Sequence, residues 1–120
     1  MRTLTSVILL AIVITCTSFS NASCDFDGNW ETNWGTLELK SIGAEYTGTY
    51  YTDGIKRGTI KGKMSTKDWT GATIILKGTW EQGKAKGKFE LQRYCPQKKF
   101  TGTWTNDNVN ESGEWNGEKM

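Results

Sequence analysis

Apolar and polar residues alternate along most of the chain beyond residue 26, which is the pattern that half-buried β-strands produce. Turn-forming pairs such as Asp53-Gly54 and Gln82-Gly83 separate the alternating runs. Short strands at intervals of roughly 8 to 12 residues are typical of sandwiches and barrels. No segment has a convincing helical period. The pattern predicts eight strands, near residues 28–32, 35–41, 45–52, 57–64, 71–80, 85–93, 98–105 and 112–117.

A recurring phrase, glycine followed two positions later by a large apolar residue, constrains how these strands pack. In the run 74–80, Gly78 has the same parity as Leu76 and Trp80, whereas threonine and lysine take the opposite parity. Inward glycines let strands coil tightly, and closure of the sheet removes exposed edges. The chain is therefore predicted to be all-β, a small antiparallel up-and-down β-barrel of about eight strands.

The predicted inner face carries large side chains in every strand. An eight-stranded barrel is just wide enough to be filled by such side chains or to hold one small ligand, and the sequence leaves both possibilities open. Because aromatic residues lie at strand ends and glycines mid-strand, we expect filled ends and a roomier middle. The inward residues are Trp30, Leu37, Leu39, Tyr46, Tyr50, Ile60, Met64, Ile74, Leu76, Trp80, Phe89, Leu91, Phe100, Trp104 and Trp115.

The first 22 residues have the layout of a secretory signal peptide. Arg2 is the only early charged residue, residues 7–14 form an apolar run, and small residues precede the expected cleavage after Ala22. The run is shorter than the ~20 apolar residues that span a bilayer, and a retained membrane anchor is the alternative. We expect a signal peptide at 1–22, one barrel domain at 23–120, and a secreted or periplasmic protein without a transmembrane segment.

Cleavage would remove Cys16 and leave Cys24 and Cys95 in the mature chain. Two cysteines in an exported protein predict one disulfide bond. The alternative is a lipid on Cys24, since a cysteine just after an apolar signal is typical of lipoproteins, although Asn21 replaces the aliphatic residue expected there.

Charge and composition argue against several functions. The formal net charge is +2, from 15 Lys and Arg against 13 Asp and Glu, and the two signs alternate along the chain, so no nucleic-acid partner is expected. The absence of histidine removes the commonest general base and metal ligand. Two cysteines are too few for a zinc site. We therefore expect a protein that is not an enzyme and has neither a metal nor a cofactor.

Four aromatic residues fall outside the inward parity, namely Trp34, Tyr51, Trp69 and Tyr94, and Trp34, Trp69 and Tyr94 are the candidates for surface interaction. Amphipathic rings in loops are natural contacts for sugars, peptides and apolar ligands. The alternative is that they cover the barrel ends or are isolated exposed residues.

The stretch 24–39, with Gly28-Asn-Trp30 and Trp34-Gly-Thr36, and the stretch 46–52 resemble the opening hairpins of avidin-like proteins. The Gly-x-Trp phrase is also similar to the first lipocalin signature. The resemblance implies a ligand-binding barrel, with biotin-type contacts at positions matching Thr32, Thr36, Tyr50 and Thr52. Residue type is kept at the last two and a hydroxyl at Thr36. The later tryptophan motif of avidins and the C-terminal helix of lipocalins are missing.

These observations lead to two functional expectations. The first is a small-molecule binding protein that holds a partly apolar ligand in the barrel or at its mouth, lined by Tyr50, Thr52, Trp80 and Trp104, with Thr36 added by the resemblance. The second is a filled barrel acting through its surface, as a protein- or glycan-interaction or inhibitor module, with an extracellular partner. The oligomeric state is not predicted.

Overall fold

The computed structural model describes residues 24–120; the predicted signal peptide and Cys16 lie outside the described residues. The described chain contains nine β-strands and no helix, so no helix in this range is long and apolar enough to cross a membrane. The strands are β1 (Gly28–Thr32), β2 (Gly35–Ile42), β3 (Glu45–Thr52), β4 (Ile55–Thr66), β5 (Thr73–Gln82), β6 (Ala85–Tyr94), β7 (Lys99–Asn106), β8 (Glu111–Glu114) and β9 (Gly117–Lys119).

These strands form the closed antiparallel barrel that the alternation predicts. Each strand from β1 to β7 pairs with the next along the chain, and β9 pairs with both β7 and β1 to close the sheet. Strand β8 pairs with the C-terminal half of β7. The barrel therefore has eight strand positions, the last of which β8 and β9 share.

The prediction of a single strand at 112–117 was wrong. The structure has two shorter strands there, β8 and β9, and Trp115 and Asn116 between them belong to neither strand. There the side chain of Asn33 accepts a hydrogen bond from the Asn116 N–H at 2.8 Å, and the Asn33 N–H donates to the Asn116 carbonyl at 3.1 Å. The β1–β2 turn thus provides the hydrogen-bond partners that β7 would supply in a regular ladder. As a result, β8 pairs with β7, whereas β9 also pairs with β1.

A tight turn connects β3 and β4 at Asp53-Gly54, one of the pairs that the sequence predicted to form turns. Asp53 and Gly54 have φ values of 55° and 77°, and positive φ at both central residues is what a type I′ hairpin turn requires. This turn matches the right-handed twist of β3 and β4, which helps to fix their register.

The inward position of the glycines is confirmed. A Cβ atom placed on Gly48 would lie 2.7 Å from the Leu39 side chain and 3.0 Å from that of Ile60, both core residues. At Gly78 the Cβ would lie 1.8 Å from the carbonyl oxygen of Lys61 on the neighbouring strand. The strands coil so tightly that only glycine leaves room for this approach.

The core contains every predicted inward residue, although Met64 and Trp104 are only partly buried. Phe26, which precedes β1, is also fully buried and was not predicted. It packs edge-on against Tyr46 and Phe100, and its N–H donates to the Tyr46 hydroxyl at 2.9 Å.

Phe26 and its neighbours fill the end of the barrel where odd-numbered strands begin, which we call the closed end. There Arg93 and Lys119 lie over the buried ring of Trp30, at 5.4 and 5.1 Å from its centroid. Both cations also donate to backbone carbonyls of the segment before β1, at Asp25 and Asp27. These contacts hold the N-terminal segment across the opening.

The predicted disulfide bond is confirmed. Cys24 and Cys95 are bonded, with Cα atoms 5.6 Å apart and a sequence separation of 71. The bond ties the segment before β1 to the end of β6 and reinforces the closed end. A disulfide is compatible with an extracytoplasmic location.

Candidate functional site

The opposite end of the barrel, which we call the open end, contains a cavity of about 220 Å³. Odd-numbered strands β1 to β7 end here and even-numbered strands begin. The expectation of a roomier middle was wrong, because leucine and isoleucine side chains fill the centre of the barrel. Nine residues line the cavity, most of them apolar: Trp34, Tyr50, Trp80, Gln82, Ala85, Trp104, Asn106, Glu111 and Trp115.

Two of these indole rings pack against glycines of the adjacent strand. A Cβ atom on Gly87 would lie 2.8 Å from Nε1 of Trp80, and one on Gly113 would lie 2.9 Å from Nε1 of Trp104. Each ring lies against bare backbone of the barrel wall. The repeated glycine therefore has a second effect at this end, because it lets large rings lie close to the wall and leaves space between them.

The aromatic rings meet nearly at right angles, like the adjoining walls of a box. Trp104 contacts Trp34 at a centroid distance of 5.5 Å and an angle of 84°, and contacts Trp80 at 6.1 Å and 87°. Tyr50 and Trp115 form a third perpendicular pair at 5.7 Å. Edge-to-face pairs are a favoured arrangement, so the box stabilises itself without a ligand.

Most polar atoms of these rings are occupied within the protein. Nε1 of Trp80 donates to the Thr105 carbonyl at 2.9 Å, Nε1 of Trp34 to the Glu114 carbonyl at 3.1 Å, and Nε1 of Trp115 to the Thr32 hydroxyl at 3.2 Å. Within the part of the chain that the structure describes, Nε1 of Trp104 is buried without a partner. What the rings offer to an occupant is carbon and π surface.

Tyr50 is the buried phenol of the site. Its hydroxyl donates to Oε1 of Gln82 at 2.9 Å, and desolvation by burial raises the pKa of Tyr50 to about 12. The phenol therefore stays neutral at physiological pH and keeps Gln82 oriented at the rim.

Three polar side chains complete the lining at the rim. Asn106 and Glu111 are cross-strand partners on β7 and β8, and Gln82 precedes the β5–β6 turn. Lysine and arginine are missing from the lining, and no cation within residues 24–120 lies within ion-pair distance of the Glu111 carboxylate. The site is thus an apolar aromatic box with one uncompensated negative charge at its edge.

The structure brings three of the five proposed ligand-binding residues together. Tyr50, Trp80 and Trp104 line the cavity, whereas Thr36 and Thr52 do not. Thr36 has the opposite parity to buried Leu37 and pairs with Tyr51 across the sheet, so it belongs to the outer face.

The three aromatic residues considered for a surface role lie at different ends of the molecule. Trp34 belongs to the cavity wall, although about half of it is exposed. Trp69 lies in the β4–β5 connection at the closed end and is 96% exposed, and Tyr94 ends β6 at the same end.

Sequence reasoning missed Gln82, Asn106 and Glu111, yet a signal for the first two was present. Gln82 follows Trp80 by two positions, and Asn106 follows Trp104 in the same way. Residues two positions apart in a strand point to the same face, so each polar side chain lies on the inner face just beyond the last aromatic residue, at the mouth of the barrel. The described residues contain no group of three or more His, Cys, Asp or Glu residues that could hold a metal ion.

No family model matches the chain, and the comparisons with curated proteins and with solved structures found no match either. The closed eight-position antiparallel barrel is consistent with a calycin-like fold.

Proposed function

We propose that this protein binds a small, largely apolar molecule in the cavity at the open end of the barrel. The observation that carries the proposal is the contrast between the two ends. One end is packed with aromatic side chains and tied by a disulfide, whereas the other keeps an accessible chamber walled by five aromatic residues. Concave apolar sites with a few polar groups are the usual form of small-molecule sites.

The size of the cavity limits the occupant. A cavity of about 150 Å³ is known to hold benzene, and sites for drug-sized ligands measure about 300 to 1,000 Å³. A volume of about 220 Å³ therefore suits one ring, one compact branched group, or the terminal group of a larger molecule. A whole haem group is too large for it.

The avidin-like resemblance places biotin among the molecules to test. Tyr50 supports this because it lines the cavity. Thr32 and Thr52 give little support, since the Thr32 hydroxyl already bonds Gly35, Trp34 and Trp115 and Thr52 lies outside the lining. Lipocalin-like binding of a long apolar chain would need a deeper cavity than this one.

Tryptophan fluorescence tests the proposal directly, because Trp34, Trp80 and Trp104 surround the cavity. We expect at least one member of a panel of biotin, short fatty acids and single-ring aromatics to change the emission and to raise the melting temperature. Trp104→Leu should weaken that response.

Trp69→Leu is the matched control, because this tryptophan is exposed at the closed end. It should leave the response intact. A panel that changes neither emission nor melting temperature, with larger and charged ligands included, would contradict the proposal.

A surface role as an interaction or inhibitor module has less support. Trp34 lies in the cavity wall, so only Trp69 and Tyr94 remain as an exposed aromatic pair at the closed end. Export from the cytoplasm is part of the proposal, and the Cys24–Cys95 disulfide supports it.

A further inference from the structure

We propose that the open-end cavity selects an organic cation, namely an alkylated ammonium group, over a neutral molecule of the same shape. This inference rests on the proposed function and specifies the chemical class of the ligand. It follows from three features of the lining: perpendicular aromatic walls, ring N–H groups of which three are already bonded and the fourth, Nε1 of Trp104, is buried, and one carboxylate with no cation within ion-pair distance in the described chain.

The aromatic walls provide the attraction. The faces of tryptophan and tyrosine rings carry negative electrostatic potential, and cations within about 6 Å of a ring centroid are attracted to it. Trp34, Trp80 and Trp104 meet at 84° and 87°, so a compact group inside the box contacts several rings at once. Methyl groups of an alkylated ammonium spread the positive charge over a surface that fits such walls.

The pattern of hydrogen bonds excludes ligands that need many polar partners. Three ring N–H groups and the Tyr50 hydroxyl donate to groups of the protein itself. A sugar would have to replace hydrogen bonds to water for each of its hydroxyls, and an unpaired buried polar group costs about 1–3 kcal/mol. An alkylated ammonium carries charge but needs few or no hydrogen bonds.

The charges at the mouth favour a positive ligand. Glu111 is the one charged residue in the lining, and within the described chain no lysine or arginine pairs with it. Lys84 and Lys86, near the same end, are exposed and lie outside the lining. An anionic ligand would face Glu111 without compensation, whereas a cation would gain a partner.

A matched pair of probes tests the inference. Choline and 3,3-dimethylbutan-1-ol have nearly the same shape, and only choline is charged. With the mature chain, we expect choline to bind about tenfold or more tightly than the neutral alcohol by isothermal titration, with quenched or shifted tryptophan emission. An affinity for the alcohol equal to or greater than that for choline overturns the inference and leaves the proposed function standing.

Variants separate the contribution of the Glu111 carboxylate from that of the aromatic walls. Glu111→Gln should lower choline affinity severalfold and the affinity for the alcohol by much less, and Trp104→Leu should also weaken choline more than the alcohol. Glu45→Gln, which removes an exposed carboxylate at the closed end, is the control and should change neither affinity. Unchanged choline affinity in Glu111→Gln overturns the assignment of that carboxylate.

The remaining outcomes distinguish the two proposals. If neither probe binds but a neutral aromatic does, the selectivity for cations is wrong and the binding function stands. If no probe and no panel member binds, both proposals are overturned.

Discussion

The phenol of Tyr50 links the core to the site. It is 7% exposed, it packs edge-on against Trp115, and its hydroxyl holds Gln82 at the rim. Burial penalises the phenolate and so raises the pKa. Because the same ring lines the cavity, its protonation state affects both the stability of the barrel and the polarity of the site.

Tyr50 should make the protein lose stability at high pH. Its pKa rises from 10.0 to about 12 on folding, so between these values the unfolded chain has released the proton that the native protein still holds. The free energy of unfolding contributed by this residue is therefore constant below pH 10 and falls as the pH rises towards 12. We expect Tyr50→Phe to reduce this decline, measured by denaturant unfolding between pH 9 and 12. Parallel profiles for both proteins would contradict the assignment.

At the scale of the strands, glycines determine how closely neighbouring strands approach each other. Gly62 and Gly78 face each other across β4 and β5, and both lie against backbone of the partner strand. Towards the open end, Gly113 lies against the ring of Trp104, and Gly87 lies against both the ring of Trp80 and the Thr105 carbonyl of the neighbouring strand. One local sequence phrase thus supports tight coiling in the body of the barrel and an aromatic wall at its mouth.

Gly78→Ala should destabilise the barrel, because the new methyl group would overlap the Lys61 carbonyl oxygen at 1.8 Å. Backbone of a paired strand cannot move aside as a flexible side chain can, so we expect a loss of about 3 kcal/mol in the free energy of unfolding, the upper part of the range for overpacked sites. Chemical denaturation measures it. Thr79→Ala, on the outer face of the same strand, is the control and should cost much less. Equal effects at the two positions would refute the close approach.

At the scale of the molecule, the two ends of the barrel are packed differently. The disulfide, Phe26 and the cations over Trp30 close one end, whereas the other end contains the cavity. A chain of this size buries a modest core, so a covalent link contributes a large share of its stability.

Loss of the disulfide should therefore be costly. A bond that closes a 71-residue separation is worth roughly 4 kcal/mol in the chain-entropy model, against a typical total of about 5–15 kcal/mol. We expect the double variant Cys24→Ser, Cys95→Ser to lose about this amount in denaturant unfolding, with the intact mass before and after reduction confirming the bond in the parent protein. A variant as stable as the parent would show that the bond is dispensable.

The sequence by itself determined the strands, their inward parity, the inward glycines and the disulfide partners. A two-residue period states which face a side chain takes, so Trp30, Leu76 and Trp104 could be assigned to the interior. Phe26 escaped this reasoning because it precedes the first strand and has no alternating neighbours. The break at Trp115 and Asn116 escaped it because the competing partner, Asn33, lies more than 80 residues away.

Only the tertiary structure decided where along the barrel the empty space lies. Parity assigns a residue to the inner face, but its height along the barrel axis depends on register and on which turns share an end. That is why the sequence predicted that Tyr50, Trp80 and Trp104 lie inside the barrel but did not predict that Glu111 and Asn106 lie at the same mouth. Glu111 reaches the mouth through the local β7–β8 hairpin, in which it pairs with Asn106. Trp34 and Tyr50 contact Trp104 and Trp115 only because β9 pairs with β1 and β7 and so closes the barrel.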